Sequence, residues 1–178
     1  MKVYIIRHGQ TNWNIIKKIQ GQQDIELNET GKKQAQEKIK TFNKYNFDLI
    51  ICSTLKRAMK TAEILNSEKN IPIIYTDDLK ERFFGELEGV ISDFDEDPMY
   101  NINTNINDKN IEPVLELYKR VSNVLNEVKE KYKGKKVLLV THGGTSRAIE
   151  AYFKGTTNGI MPPETLQNCE IREYEYID

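Results

Sequence analysis

Residues 3–9 read Val-Tyr-Ile-Ile-Arg-His-Gly: four apolar residues, then a cation, a histidine and a glycine. A short run of apolar and β-branched residues without polar alternation is typical of a β-strand that is covered on both faces. Similar runs occur at residues 49–52, 71–75 and 137–140. The tail, residues 169–177, alternates apolar or small residues with charged ones, which predicts an edge strand. The chain is therefore expected to contain five strands.

Four stretches between these strands carry apolar residues at helical spacing. We expect the first helix to begin after an N-cap at Asn28 and the second after an N-cap at Ser53. The third covers about residues 112–132 and ends before Gly134, and the fourth begins near Gly144. Strands that alternate with helices predict an α/β fold, a three-layer sandwich with a mostly parallel central sheet flanked by helices.

The length of 178 residues fits a single domain that spans residues 1–178. Residues at about 90–110 are polar and rich in Asn and Asp, which predicts a short mobile insertion. Lys and Arg number 26 and Asp and Glu 27, so the net charge is −1. This balance argues against nucleic-acid and membrane-surface binding, because both need a broad basic face. Any anion must be held by a local cluster of cations instead.

Two features of the chain concern its location. Its two cysteines, Cys52 and Cys169, lie far apart and are too few for a disulfide framework, which fits a reducing compartment. The N-terminal apolar run has only four residues before a charge, shorter than the apolar region of a signal peptide. Both features predict a cytoplasmic protein.

Reactive side chains follow three of the predicted strands. Residues 7–9 follow the first strand, residues 53–54 the second, and residues 141–144 the fourth. The two histidines of the chain, His8 and His142, both lie at these strand ends. Ligands of open α/β sheets bind at the carboxyl ends of the strands, so we expect both histidines in one site.

The residue types at these strand ends indicate a phosphate site. The guanidinium groups of Arg7 and Arg57 match the paired oxygens of a phosphoryl group and stay charged at any working pH. An imidazole can attack phosphorus, and the glycines Gly9 and Gly143 would let backbone approach an anion closely. Zincin, serine hydrolase and P-loop motifs do not occur in the sequence, and two histidines without a nearby carboxylate fall short of a metal site.

Residues 6–14, Ile-Arg-His-Gly-Gln-Thr-Asn-Trp-Asn, resemble the RHGxTxxN signature of the histidine phosphatase superfamily, also called the phosphoglycerate mutase-like family. Four further blocks resemble later segments of the same family, and they are residues 19–31, 53–62, 79–89 and 140–144. The blocks come in family order. The resemblance thus covers most of the chain and implies the phosphoglycerate mutase-like fold.

The resemblance also implies roles for single residues. His8 would be the nucleophile that becomes phosphohistidine, and Glu81 the general acid that protonates the leaving alkoxide and then the base that activates water. The other catalytic residues, around the phosphoryl oxygens, would be Arg7, Arg57 and His142. The substrate-binding residues would be Arg7, Thr11, Asn14, Gln20, Gly21, Arg57 and Gly143. The substrate would be a small-molecule phosphomonoester, with no metal and no cofactor.

Three functions remain open at this stage. The chain is expected to be a phosphatase, because residues 84–89 look like the phosphatase branch, including phosphatases that act on α-ribazole phosphate. A cofactor-dependent phosphoglycerate mutase is the first alternative, although the acidic residues 93, 95, 96 and 97 would repel multiply anionic substrates held near the site. A non-catalytic phosphate-binding protein is the second. Neither the substrate nor the oligomeric state follows from the sequence.

Overall fold

The computed structural model describes residues 1–91, 97–104 and 110–176, with the side chains of residues 97 and 98 excepted. The strands are β1 (Lys2–Arg7), β2 (Leu49–Ser53), β3 (Ile73–Thr76), β4 (Val137–Thr141) and β5 (Ile171–Glu175). The α-helices are α1 (Asn12–Ile15), α2 (Glu29–Tyr45), α3 (Lys56–Leu65), α4 (Val114–Lys131) and α5 (Gly143–Lys154). Short 3₁₀ turns cover Asp77–Leu79, Gly85–Leu87 and Asp97–Tyr100.

The five strands form one sheet in the order β3-β2-β4-β1-β5. β4 pairs in parallel with β1 on one side and β2 on the other, and β3 extends the parallel part beyond β2. β5 pairs antiparallel with β1 at the opposite edge. The α/β fold with a mostly parallel sheet is therefore confirmed, as is the edge strand in the tail.

Successive side chains of a strand point to opposite faces of the sheet, so each face presents its own apolar residues. Helices cover both faces. Val3 and Ile5 of β1 belong to a core cluster that includes the buried stripe of α4 and part of α5. Tyr4 and Ile6 belong to a second cluster with residues of α2 and α3. Three layers follow: a helical layer, the sheet and a second helical layer.

Two local predictions were wrong. Ser53 does not cap a helix, since α3 begins at Lys56 after Leu55, and Ser53 is instead the last residue of β2. The third strand is not covered on both faces. It lies at the sheet edge, where Ile74 and Tyr75 remain 42% and 45% exposed.

Other local predictions were correct or nearly so. The Asn28 side chain accepts a hydrogen bond from the Gly31 N–H and caps α2. α4 lies within the expected residues 112–132, and α5 begins at Gly143, one residue before its expected start. No helix in the described part of the chain is long and apolar enough to cross a membrane.

About half of the expected insertion at about 90–110 falls outside the described residues. Residues 92–96 and 105–109 are not described, and neither are the side chains of residues 97 and 98. The described remainder packs against the loop after α5: the Ile102 N–H donates to Gly159 O, and the Met161 N–H donates to Tyr100 O. The expectation that this segment is a mobile insertion therefore stays a prediction.

Candidate active site

The carboxyl ends of β1, β4 and β2 are neighbours because β4 lies between the other two strands. A cleft of about 260 Å³ opens there, at the N-terminal end of α5. Residues expected from the sequence that line it are Arg7, His8, Asn14, Gln20, Gly21, Arg57, Glu81 and Gly143. The two expected residues that do not line the cleft, Thr11 and His142, are fully buried.

His8 is buried, and its ring has a defined orientation. The Nδ1 atom lies 2.7 Å from Gly9 O. A carbonyl oxygen only accepts hydrogen bonds, so Nδ1 carries the proton and Nε2 keeps its lone pair. Burial, and then the nearby charges of Arg57 and Arg7, hold the pKa of His8 well below 6.5. The imidazole is therefore neutral at physiological pH, with a free lone pair on Nε2.

His142 lies beside His8, with 5.1 Å between the ring centroids. Its Nε2 atom is 2.7 Å from the Ser53 hydroxyl at the end of β2. Burial, and then the charge of Arg57, hold the pKa of His142 well below 6.5. Within the described chain, its buried Nδ1 atom has no hydrogen-bond partner. An unpaired buried polar atom costs about 1–3 kcal/mol, so this atom is a candidate ligand contact.

Two arginines supply fixed positive charge. Arg57 is fully buried, and its two terminal nitrogens donate to Gly21 O at 2.7 Å and Gln23 O at 2.8 Å. Burial lowers the pKa of Arg57 to about 10, which leaves the group charged at neutral pH. Its Nε atom has no partner among the described residues. Arg7 donates from Nη1 to Leu166 O at 2.8 Å, which fixes its guanidinium at the cleft.

The Glu81 carboxylate accepts three backbone hydrogen bonds. The N–H groups of Arg82, Gly144 and Thr145 donate to it at 2.8, 2.9 and 3.0 Å. Two of these donors belong to the first turn of α5, whose N-terminal end attracts negative charge. A surface ion pair of Glu81 with Lys80 does not form, because Lys80 pairs with Asp77. The carboxylate is fixed at the wall of the cleft that His8 also lines.

Thr11 supports the cleft from behind. Its hydroxyl donates to Gln20 Oε1 at 3.0 Å, and its backbone N–H donates to Asn14 Oδ1 at 3.0 Å. Thr11 and Asn14 also form the capping box of α1, a short helix that was not expected from the sequence. Thr11 thus orients two side chains that line the cleft.

Gly9 was expected to let the backbone approach a bound anion, and this expectation was wrong. A Cβ on Gly9 would lie 2.5 Å from the backbone oxygen of Gly31, so Gly9 is required by close packing against the start of α2. Gly9 does not line the cleft. Gly143 does line it, where a Cβ would meet the Arg7 guanidinium carbon at 3.4 Å.

Six further residues, which were not expected from the sequence, line the cleft: Lys18, Ile19, Phe84, Tyr100, Gly144 and Thr165. Tyr100 lies in the expected insertion, and its ring packs against the guanidinium carbons of Arg147 at 4.0 Å and Arg82 at 5.2 Å. A Cβ on Gly144 would lie 2.3 Å from the Tyr100 hydroxyl and 2.6 Å from Glu81 Oε1. The tyrosine hydroxyl and the carboxylate are therefore close neighbours.

Among the described residues, no group of three or more His, Cys, Asp or Glu side chains is close enough to hold a metal ion. The residues that line the cleft include two arginines, a lysine, a neutral histidine, one glutamate and two side-chain amides. This set can bind a dianion, attack it with a neutral nitrogen and exchange a proton with a leaving group.

Comparison with known proteins identifies a family. The sequence model of the histidine phosphatase superfamily (branch 1) matches residues 3–178. Among solved structures, Bacillus stearothermophilus YhfR superimposes with a TM-score of 0.84 at 28% identity, over 98% of this chain and 90% of that one. The fold and the family agree with the resemblance seen in the sequence.

Curated relatives include both phosphatases and mutases. The uncharacterized phosphatase PhoE of Bacillus subtilis (strain 168) is 39% identical over 170 residues, 94% of this chain and 84% of the relative. A metal-independent phosphoserine phosphatase of Arabidopsis thaliana is 34% identical over 187 residues, 99% of this chain and 79% of the relative. The probable phosphoglycerate mutase GpmB of Escherichia coli O1:K1 / APEC is 30% identical over 183 residues, 99% of this chain and 85% of the relative.

Proposed function

The chain belongs to the histidine phosphatase superfamily, and we propose that it hydrolyses a small phosphomonoester through a phosphohistidine on His8. The names of its relatives support a hydrolase that acts on phosphate esters. The family implies a small-molecule phosphate as substrate, and the positions of the side chains around the cleft support a reaction in two chemical steps.

In the first step, His8 Nε2 attacks phosphorus and the bond from phosphorus to the ester oxygen breaks. Phosphoryl transfer has a loose transition state, so catalysis depends on alignment and on fixed charge around the three equatorial oxygens. Arg7 and Arg57 supply that charge, and His142 Nδ1 can contact a third position. Glu81 acts as the general acid and gives a proton to the leaving alkoxide.

In the second step, water attacks the phosphohistidine. Glu81, now a carboxylate, takes a proton from the water as its oxygen bonds to phosphorus, and the bond from His8 Nε2 to phosphorus breaks. Inorganic phosphate leaves, and Glu81 again holds the proton for the next cycle. The three backbone donors hold the carboxyl group of Glu81 at the cleft wall.

The hydrogen bond from His8 Nδ1 to Gly9 O carries this proposal. It assigns the proton to one ring nitrogen and leaves the other as a nucleophile that needs no further deprotonation. The two relatives named as phosphatases, at 39% and 34% identity, favour hydrolysis over the mutase reaction of the relative at 30%. The same first step would serve a mutase, so only the acceptor of the phosphoryl group distinguishes the two.

Phosphate release in EDTA tests the proposal. The panel contains O-phosphoserine, 3-phosphoglycerate, α-ribazole phosphate and p-nitrophenyl phosphate. We expect hydrolysis of at least one compound, at a rate that added Mg²⁺ does not raise. Activity that disappears in EDTA and returns with Mg²⁺ would contradict the metal-independent scheme.

The mutase and the binding protein are the remaining outcomes. If no compound is hydrolysed, conversion of 3-phosphoglycerate to 2-phosphoglycerate is measured with 2,3-bisphosphoglycerate as a primer. Conversion would identify a mutase. Binding of inorganic phosphate without any turnover would identify a phosphate-binding protein.

A further inference from the structure

Lys18 is a cation at the cleft with no role in the proposed chemistry. It is half-buried, lines the cleft, and makes no ion pair with any described residue. Its neighbour Lys17 is exposed and does not line the cleft. Lysine side chains usually bury their aliphatic stem and keep the ammonium accessible, so Lys18 leaves a cation available to a ligand of the site.

Trp13 holds both the backbone and the ammonium of Lys18 without neutralising the charge. The Lys18 N–H donates to Trp13 O at 2.9 Å, and Lys18 Nζ lies 5.2 Å from the centre of the indole ring. The ring in turn lies against Gly89, where a Cβ would meet it at 3.4 Å. A cation over an aromatic face keeps its full charge, so the ammonium remains able to bind an anion.

The charges that line the cleft exceed the needs of a phosphoryl group. The described cations that line it are Arg7, Arg57 and Lys18, and the one carboxylate among the described lining residues is Glu81. When Glu81 carries the proton that it donates, these side chains have three positive charges and no negative one. A phosphomonoester dianion balances two of them.

We propose that the physiological substrate carries a carboxylate near its phosphoryl group and that the Lys18 ammonium binds this carboxylate. A second phosphoryl group would bring four negative charges to three cations, whereas a carboxylate brings three. The volume of about 260 Å³ suits a small phosphorylated acid. The side chains of the acidic residues 93, 95, 96 and 97 are not among those described. The charge count therefore includes only the described residues that line the cleft.

This inference rests on the proposed function, and paired substrates test the two separately. 3-Phosphoglycerate is compared with glycerol 3-phosphate, and O-phosphoserine with its carboxamide, since each pair differs in the carboxylate. We expect kcat/KM to be about tenfold or more higher for the acid of each pair, mainly through KM. Fructose 1,6-bisphosphate and fructose 6-phosphate form a third pair, with no expected preference for the bisphosphate.

Variants of Lys18 and Lys17 test whether Lys18 is the residue that binds the substrate carboxylate. Lys18→Gln keeps most of the side chain but removes the charge, and we expect it to reduce the preference to about threefold or less while glycerol 3-phosphate turnover stays unchanged. Lys18→Arg should restore the preference. Lys17→Gln makes the same change of charge one residue away from the cleft and should leave the preference intact.

The outcomes separate the two proposals. Hydrolysis of acid and control at equal rates by the wild type would overturn the inference and leave the phosphatase in place. A preference that survives Lys18→Gln, or a preference for the bisphosphate, would also overturn it. If no compound, including p-nitrophenyl phosphate, is hydrolysed, the proposed function fails. Calorimetry then measures the binding of 3-phosphoglycerate and glycerol 3-phosphate to the wild type and to Lys18→Gln. Tighter binding of 3-phosphoglycerate that is lost in Lys18→Gln would support the inference, and equal binding of the two compounds would overturn it.

Discussion

The chemistry of His8 depends on its being neutral inside a cluster of positive charge. Burial and the charges of Arg57 and Arg7 act in the same direction on its pKa, since each disfavours an imidazolium ion. The bond to Gly9 O then selects the tautomer in which Nε2 is free. Two independent features therefore prepare the same nitrogen for attack on phosphorus.

His8→Ala should remove turnover while the fold persists. The substitution deletes the nucleophile, and the remaining groups stabilise a transition state that can no longer form, so we expect a loss of roughly 10³-fold or more in kcat. Phosphate release measures the loss, and circular dichroism checks the fold. A labelled, acid-labile phosphoprotein should form in the wild type only. A variant with activity within tenfold of wild type would remove His8 from the role of nucleophile.

Glu81→Gln should harm alkyl phosphates more than aryl phosphates. An alkoxide leaves poorly without a proton, whereas p-nitrophenolate leaves well, and general acids contribute about 10²–10⁴-fold. The quantity to compare is kcat/KM, because it reports the first step and excludes the later attack of water. The amide oxygen can still accept the backbone hydrogen bonds at one of the two carboxylate positions. Equal losses on both substrate types would contradict the acid role.

Among the loops, residues 20–24 hold Arg57 in place. Gly21 O and Gln23 O accept the two terminal nitrogens of Arg57. The residue between them, Gln22, donates its backbone N–H to Glu88 Oε1 at 2.8 Å. The same carboxylate oxygen accepts the Phe84 N–H at 3.1 Å, so Glu88 joins this loop to the loop that carries Glu81.

Glu88→Ala should therefore weaken phosphate binding, although Glu88 does not line the cleft. The change leaves two backbone N–H groups without their acceptor, at a cost of about 1–3 kcal/mol each, and frees the loop that holds Arg57. We expect the inhibition constant of inorganic phosphate to rise about tenfold, measured by competition with a phosphomonoester. Glu88→Gln keeps one acceptor oxygen and should restore most of the affinity.

Glu150→Gln provides the control for Glu88. Glu150 is buried and accepts hydrogen bonds from Arg172 and Tyr174, away from the cleft. We expect this variant to lose stability in urea without a change in phosphate inhibition. If both variants weaken phosphate binding equally, Glu88 acts through general stability and not through Arg57.

Sequence patterns predicted strands and helices well where the signal is local. The buried strands are short apolar runs, and Asn28 is a capping residue followed at once by a helix. Ser53 was misassigned because its role depends on β4 lying beside β2, which brings the His142 ring to its hydroxyl. Tyr100 was missed because its polar surroundings in sequence hide its burial against Arg147, a contact distant along the chain.

For the molecule as a whole, the sheet order concentrates charge that the sequence spreads out. The net charge of −1 gives no hint of an anion site, yet β4 lies between β1 and β2 and brings the two arginines to one cleft. The same arrangement buries both histidines beside those arginines. Folding therefore changes the protonation of His8 and His142, and the stability of the molecule must depend on pH.

The direction of that dependence follows from the lowered pKa of each histidine. Below about pH 6.5 the unfolded chain takes up protons that the folded chain does not bind, so stability decreases as the pH falls. Between pH 7.5 and 5.5 each histidine should cost roughly 1 kcal/mol of unfolding free energy. Glu150 and Glu173 also have lowered pKa values, but carboxyl groups of the unfolded chain titrate near pH 4.3, below this window.

Urea unfolding in phosphate-free buffer tests this expectation. The wild type should lose roughly 2–3 kcal/mol of unfolding free energy between pH 7.5 and 5.5, and His142→Gln about half as much. Glutamine is the suitable replacement because its amide nitrogen can occupy the position of Nε2 beside Ser53. A loss of the same size in both proteins would mean that His142 takes up a proton equally in the folded and unfolded states. In that case its imidazole would be protonated beside Arg57, and the neutral site required for attack by His8 would need another explanation.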